Sequence, residues 1–412
     1  MHRSPYALAA LATQAIKGLD VKQVAPLEEA VDGFDSALVI DSEARHWIVR
    51  APLTASAGAA LESEISFLSE LTPYVDRGDL PFVIPRVAGT ASLPDSGRAL
   101  VHPELPGYPI PMERLQPGPG LAAALGRALA AIHELPVGIV ESTGQPTYSA
   151  EEYRERRLAE VDEAAATGLV PVSLLKRWEQ RLENVAMWRF IPAVTHGALS
   201  AESILVQAGN VSAVRDWSDV KVADPADDLA WVLAAAPADC TDSIMEAYQL
   251  RRTELTDPYL SERAFLASEL ALLRWLLHGT RHGLNDVVAD AVEMLTDLDV
   301  ATAAAEGDIV RFPTYGGTEP RLADDVATSA FGIASAADAV SGEVSLVTQN
   351  DLDAGSEDED YQDEPLPDDT EGIVFERDSV ATERIESVAE IEPVTDSANS
   401  DDDLAQDERS GS

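Results

Sequence analysis

Residues 194–206 read Val194-Thr195-His196-Gly197-Ala198-Leu199-Ser200-Ala201-Glu202-Ser203-Ile204-Leu205-Val206. Gln207-Ala208-Gly209-Asn210 follow, then Val211-Ser212-Ala213-Val214-Arg215-Asp216-Trp217-Ser218-Asp219-Val220. After Lys221-Val222-Ala223 comes Asp224-Pro225-Ala226-Asp227-Asp228-Leu229-Ala230-Trp231. Two short apolar runs, Ile204–Val206 and Val211–Val214, flank the pair Gly209-Asn210. Residues of this type accept the positive φ of a tight turn, so the spacing predicts a β-hairpin with that pair at its tip. His196-Gly197 precedes the hairpin and Asp216 follows it, so the open end holds two polar loops side by side. Phosphate transfer needs such a geometry, with one loop for the acceptor hydroxyl and one for a metal.

The order and spacing of these residues resemble the aminoglycoside and macrolide phosphotransferase family, a small-molecule branch of the kinase-like proteins, and most closely its macrolide 2'-phosphotransferase branch. That family's catalytic loop reads H-G-D-L-H-x-x-N, with His for the last Asn in many macrolide kinases. Its metal loop reads I-D-W-x-D and is followed by D-P-x-x-D-L-A. The chain keeps the scaffold residues and departs at two chemical positions. Ala198 stands where the family has its catalytic Asp, and Ser203 where it has a metal-binding Asn or His. The catalytic loop is therefore degenerate.

The resemblance covers residues 20–300 and implies an α+β, bilobal protein-kinase-like fold. Residues 1–105 are then a small, β-rich nucleotide-binding lobe. Residues 106–310 are a helical lobe carrying the remnants of the catalytic and metal loops. The implied ligands are ATP or GTP with Mg2+, and a small molecule bearing a hydroxyl. Asp216 is in place as the metal ligand, and Asp219 either adds a ligand or holds the loop. Ser203 is a weaker ligand than Asn. His196 supports the loop, and no residue stands out as the catalytic base because Ala198 occupies that position. Asp224 and Asp228 match positions that brace the loop.

In the first lobe, Trp47-Ile48-Val49-Arg50-Ala51-Pro52 reads as a strand that Pro52 ends. It is similar to the family strand that carries a basic residue towards the nucleotide phosphates, a role that falls to Arg50. From the run alone, an arginine on an edge strand facing solvent is the alternative. Leu61, Ile65, Leu68 and Leu71 have helical spacing within 57–71. The resemblance puts Glu64 of that helix opposite Arg50, with Glu62 and Glu70 as alternatives. Residues 99–105 read as a strand entering a hinge that Leu105-Pro106-Gly107 breaks. The nucleotide base is expected against backbone from Val101 to Leu105.

The remaining stretches read as a helix over 5–18, strands over 24–49 with a turn at 32–36, and helices over 121–135, 150–165, 174–188, 242–255, 261–280 and 284–306. The 174–188 helix resembles one that packs beneath the catalytic loop in the family. Trp178 and Trp188 read as core, His133 as structural, and His278 and His282 as caps or solvent-facing residues. The N-terminal stretch faintly resembles a signal, yet its apolar run is short and Lys17 and Lys22 follow without a clear cleavage site, so an amphipathic first helix is expected.

The chain has 412 residues and a formal net charge of −44. Such acidity argues against nucleic-acid or anionic-membrane binding through bulk electrostatics. One cysteine, Cys240, rules out an internal disulfide. With no apolar run of about 18 residues, nothing spans a membrane and a cytoplasmic location is expected. From Arg311 to the end there are 28 Asp and Glu against 5 Arg and no Lys. That segment is expected to be a disordered acidic tail that solubilises or contacts a basic partner. Two functions follow: a nucleotide-dependent phosphotransferase with altered or slow transfer to a hydroxyl, or a catalytically dead pseudokinase serving as a nucleotide- or metabolite-binding regulatory module.

Overall fold

The computed structural model describes residues 2–27, 33–94, 97–254 and 257–304. Helix α1 (Pro5–Ala15) begins at Ser4, whose hydroxyl accepts the Ala7 N–H, with Pro5 opening the first turn. Strands β1 (Val21–Pro26), β2 (Phe34–Asp41), β3 (His46–Pro52), β4 (Gly89–Ser92) and β5 (Arg98–Pro103) form an antiparallel sheet ordered β1-β2-β3-β5-β4. Alternation puts Asp35, Ala37, Val39 and Asp41 on the buried side of β2. Ala37, Val39, Val49, Ala51, Ala99 and Val101 pack with Leu8 and Ala12 of α1 as one core.

Strand β3 is therefore central, and Arg50 is 7 % exposed instead of facing solvent from an edge. The turn before β2 is shorter than the sequence predicts. Phe34 already pairs with Pro52, Asp35 with Ala51 and Ser36 with Arg50, and Gly33 at φ +81° supplies the reversal. Asp32 lies outside the described residues.

Helix α2 (Ala55–Arg77) starts at a Thr54 cap and ends at left-handed Gly78. It runs past Pro73, because Leu71 and the partly buried Tyr74 and Val75 continue its apolar face. Leu61 and Ile65 pack on Leu100 of β5. Phe67, Leu68 and Leu71 belong to a different core, shared with Phe82, Ile84, Leu125 and Trp217.

Beyond segment 104–107, β6 (Tyr108–Pro109), β8 (Ile204–Gln207) and β9 (Asn210–Val214) form a small sheet, and β7 (Ala193–Thr195) pairs antiparallel with β10 (Lys221–Ala223). Helices carry the rest: α3 (Leu121–His133), α4 (Gly138–Glu141), α5 (Ala150–Ala166), α6 (Val172–Glu183), α7 (Ala226–Ala235), α8 (Thr241–Arg251), α9 (Leu260–His282) and α10 (Asn285–Ala304). Helix α3 packs on α8, and α9 packs on α5, α7 and α10. Gly126 permits the first contact, since a Cβ there would lie 2.2 Å from the Ile244 carbonyl oxygen. A β-rich N-terminal lobe thus precedes a helical C-terminal lobe. None of the described helices is long and apolar enough to cross a membrane.

Two expectations change. Helix α6 ends at Glu183, leaving Trp188 outside it, and it packs on α5 and α9 in a core separate from that of the catalytic loop. Trp178 there is fully buried and donates its indole N–H to Glu269 on α9 at 2.8 Å. His278 does not face solvent; it is buried and stacks on Trp275 with ring centroids 5.7 Å apart. The expected acidic tail over 311–412 and residues 305–306 of the last helix lie outside the described residues.

Candidate active site

The hairpin forms one residue earlier than the Gly209-Asn210 signal suggests. Gln207 pairs with Asn210, and the two central residues are Ala208 (φ +51°) and Gly209 (φ +74°). A two-residue turn of this hand needs positive φ at both central positions. Asn210 is the first residue of β9, and its side-chain amide donates to the Ala208 carbonyl.

At the open end, Gly197 holds φ +83° with the chain of the metal loop directly against it. A Cβ there would lie 2.3 Å from the Asp219 carbonyl oxygen. The two loops touch because position 197 has no side chain. Asp228, near the start of α7, accepts the backbone N–H of His196 at 2.7 Å and of Gly197 at 2.9 Å. Its Oδ2 also meets His133 Nε2 at 3.1 Å, while His133 Nδ1 meets the Tyr248 hydroxyl at 2.8 Å. Burial alone would raise the Asp228 carboxyl, but His133, His196 and the Gly197 N–H hold it below its ordinary value.

His196 joins the loops a second time. Nε2 donates to the Arg215 carbonyl at 2.9 Å, which assigns the tautomer and leaves Nδ1 facing the Ala198 N–H at 3.4 Å. The ring lies against Trp217 at 4.6 Å, and burial lowers its pKa, opposed by the charge of Asp228. Ala198 ends this turn half-buried, with a methyl group where a proton acceptor is expected.

Ser203 is not presented as a metal ligand. Its hydroxyl accepts the Ser200 N–H at 2.8 Å and donates to the Ser200 carbonyl at 3.0 Å, inside the loop. Asp216 differs. It holds a left-handed φ of +67°, a conformation that costs a non-glycine residue about 1 kcal/mol, and its side chain is 26 % exposed. Asp219 is half-buried, its backbone pressed on Gly197.

Arg50 Nη1 donates to both oxygens of Glu64, at 3.1 and 3.3 Å, and Nη2 lies 3.5 Å from Asp216 Oδ1. The guanidinium stacks over Phe34 at 4.8 Å. Glu64 also accepts the Trp217 N–H at 3.3 Å. Burial pushes the Glu64 carboxyl up, opposed by the charge of Arg50. Of the two alternatives, Glu62 pairs with Arg98 on β5 and Glu70 is exposed.

Val101 does not line the cleft. Its side chain is in the core against α1, and its carbonyl accepts the Ala88 N–H at 2.9 Å. The Glu104 N–H donates to the His46 carbonyl, so Leu105 is the next position along the linking segment. His102 beneath it is buried, which pushes its pKa down to about 4.

Among the described residues, no three His, Cys, Asp or Glu side chains gather as a metal cage. Magnesium commonly takes one or two protein carboxylates and completes its shell with phosphate oxygens and water. Asp216 fits as such a single ligand, and Ser203 does not. Asp224 is structural, bonded to the Ala226 N–H and to Arg263 at 2.6 and 3.1 Å. Sequence reasoning missed Arg215, whose Nε lies 3.6 Å from Asp216 Oδ2. A cation adjacent to the expected metal ligand was the available signal.

Residues 27–277 match the family described as APH: Phosphotransferase enzyme family. The chain is 25 % identical over 219 residues to the uncharacterized protein YcbJ of Bacillus subtilis (strain 168), spanning 52 % of this chain and 71 % of that one. It is similar to the crystal structure of macrolide 2'-phosphotransferase MphH from Brachybacterium faecium, with a TM-score of 0.60, 23 % identity, and 71 % and 97 % of the two chains covered. The GDP complex of wild-type aminoglycoside 2'-phosphotransferase-IIIa matches with a TM-score of 0.56 and 19 % identity, over 72 % of this chain and 98 % of that one. At these identities the likeness establishes a bilobal kinase-like fold.

Proposed function

The chain belongs to the phosphotransferase enzyme family, and from that premise we propose that it binds a nucleoside triphosphate, ATP or GTP, between Arg50 and Asp216 and passes phosphate slowly to a hydroxyl of a small-molecule acceptor. The observation that supports this reading is the pairing of one guanidinium with two carboxylates beside a turn that ends in a methyl group. Arg50, Glu64 and Asp216 are already drawn together, whereas Ala198 offers no proton acceptor. In this reading residues 1–105 hold the nucleotide, with the base against the Leu105 backbone, residues 106–310 hold the acceptor, and the protein works in the cytoplasm.

Arg50 meets the phosphates and Glu64 fixes its direction. His196 and Asp228 hold the acceptor turn. Magnesium, when bound, would be held by Asp216 and would neutralise phosphate charge. Phosphoryl transfer leans mostly on placement and charge neutralisation, so loss of a positioned base lowers the rate by about 10²–10⁴ without abolishing the reaction. A nucleotide-binding module with no transfer is the second reading, favoured by the Ser203 hydroxyl being spent within its own loop.

Thermal-shift titration with ATP and with GTP, with and without magnesium, tests the first step. A saturable rise in melting temperature with either nucleotide is expected, and no rise in any condition would sink the reading. Single-turnover transfer of labelled γ-phosphate to added alcohols then separates slow transfer from none.

A further inference from the structure

Arg215 links the stretch that carries Asp216 to the stretch that carries Ser203. Its Nε donates to the Glu202 carbonyl at 2.8 Å and sits 3.6 Å from Asp216 Oδ2. Its backbone N–H donates to the Ser203 carbonyl at 2.9 Å. One residue therefore ties the end of the catalytic loop to the metal loop. On the other side, Arg50 Nη2 reaches Asp216 Oδ1 at 3.5 Å. Each carboxylate oxygen of Asp216 thus faces a guanidinium. Both separations exceed those of a short charge-assisted hydrogen bond, so the charges are matched while the carboxylate stays partly exposed at 26 %.

Arg50 and Arg215 offset the charges of Glu64 and Asp216 before any metal enters, and Asp219 is a further carboxylate of the same loop. A divalent ion held by Asp216 would share that carboxylate with the Arg215 guanidinium, whose Nε lies 3.6 Å from Oδ2. The Ser203 hydroxyl, committed to Ser200, would offer it no ligand. A guanidinium is always charged, and its planar fork suits phosphate oxygens.

We infer that Arg215 supplies, as a built-in cation, the charge that a second divalent ion would otherwise bring, so that Arg50 and Arg215 together take the polyphosphate of a nucleotide with little dependence on magnesium. This rests on the nucleotide-binding reading above and adds its charge requirement. Asp216 remains available to a single metal ion, which then modulates affinity without being required.

The test uses the full chain and isothermal titration with ATP and with GTP, in magnesium buffer and in EDTA. For the wild type, EDTA is expected to weaken binding by less than about tenfold, a change of one decade in Kd. Arg215→Leu should bind in magnesium yet lose at least about a hundredfold in EDTA, and Arg215→Lys, which keeps the charge, should stay near wild type. Melting temperatures of the nucleotide-free variants check folding. If Arg215→Leu fails to fold, the wild-type and Arg215→Lys arms still decide. Wild-type binding that disappears in EDTA overturns the inference and leaves the nucleotide reading standing. Equal EDTA sensitivity of wild type and a folded Arg215→Leu also overturns it. Absence of binding in both buffers overturns the nucleotide reading itself.

Discussion

The carboxylate of Asp228 spans the His196-Gly197 turn, one oxygen on each backbone N–H, at 2.7 and 2.9 Å. An aspartate on helix α7 thereby fixes the conformation of a loop 31 and 32 residues upstream. Asp228→Asn replaces one acceptor oxygen with a donor that faces an N–H. It should destabilise the protein by about 3 kcal/mol in urea denaturation, the upper range for a bond to a charged group. Because the folded pKa of Asp228 is lowered, its stabilising contribution is complete above the ordinary aspartate value of about 3.9 and is lost as pH falls through the depressed value. The variant should therefore lose less stability than the wild type in that acid range.

His102 has the opposite chemistry with the same direction of loss. Its folded pKa of about 4 lies below the ordinary histidine value of 6.5, because burial disfavours the imidazolium. Between those two values the unfolded chain binds more protons than the folded one, so stability falls as pH drops, by up to about 1.4 kcal/mol per unit. His102→Gln should flatten the wild-type decline measured by denaturation at pH 7, 6 and 5. An equally steep decline in the variant would assign the loss to another group, with His196 next in line.

Gly197 and Gly209 share a left-handed φ but differ in surroundings. A Cβ at Gly209 meets nothing within 4 Å, whereas one at Gly197 meets the Asp219 carbonyl oxygen at 2.3 Å. Gly209→Ala should cost about 1 kcal/mol from backbone strain alone. Gly197→Ala should cost at least twice that and abolish any nucleotide-induced thermal shift, since it drives the two loops apart. Similar losses for the two variants would refute the close approach.

Glu64→Gln leaves Arg50 with Asp216 as its remaining charged partner among those described. Removing one member of a buried pair costs about 3–5 kcal/mol. The expected outcome is a lower melting temperature together with weaker nucleotide binding, read in the same thermal-shift series. Glu70→Gln, at an exposed position of α2, is the control and should change neither.

Ala198→Asp returns a carboxylate to the end of the His196-Gly197 turn. If the missing base limits the reaction, transfer or hydrolysis should rise by about 10²–10⁴-fold. Adding Ser203→Asn should not help further, because it removes the two hydrogen bonds that the Ser203 hydroxyl makes to Ser200. No gain from Ala198→Asp in a protein that binds nucleotide would favour the module without transfer.

The bilobal architecture was legible through the family resemblance, while local patterns placed single elements: periodicity marked α2, and the apolar runs around Gly209 marked the hairpin. What was not legible depended on where backbone groups go after folding. Val101 reads as a cleft residue until its carbonyl is seen bonded to Ala88. Ser203 reads as a weak ligand until its hydroxyl is seen turned onto Ser200. The turn tip shifted from Gly209-Asn210 to Ala208-Gly209 because strand register decides it, and Ala208 carries no propensity for positive φ. The link from His133 to Asp228 crosses 95 residues of sequence, a separation that no local pattern encodes.

Helix α2 is a member of two cores. Its Leu61 and Ile65 lean on the sheet, while Phe67, Leu68 and Leu71 are seated in the helical lobe, where Phe67 meets Trp217 with ring centroids 5.6 Å apart. Glu64 is further tethered to that lobe by the Trp217 N–H, whereas Arg50 rides on β3. The buried ion pair therefore works as a latch, with its bolt on the sheet and its catch anchored to the other lobe. A single guanidinium–carboxylate pair thereby joins the sheet to the helix that both cores share.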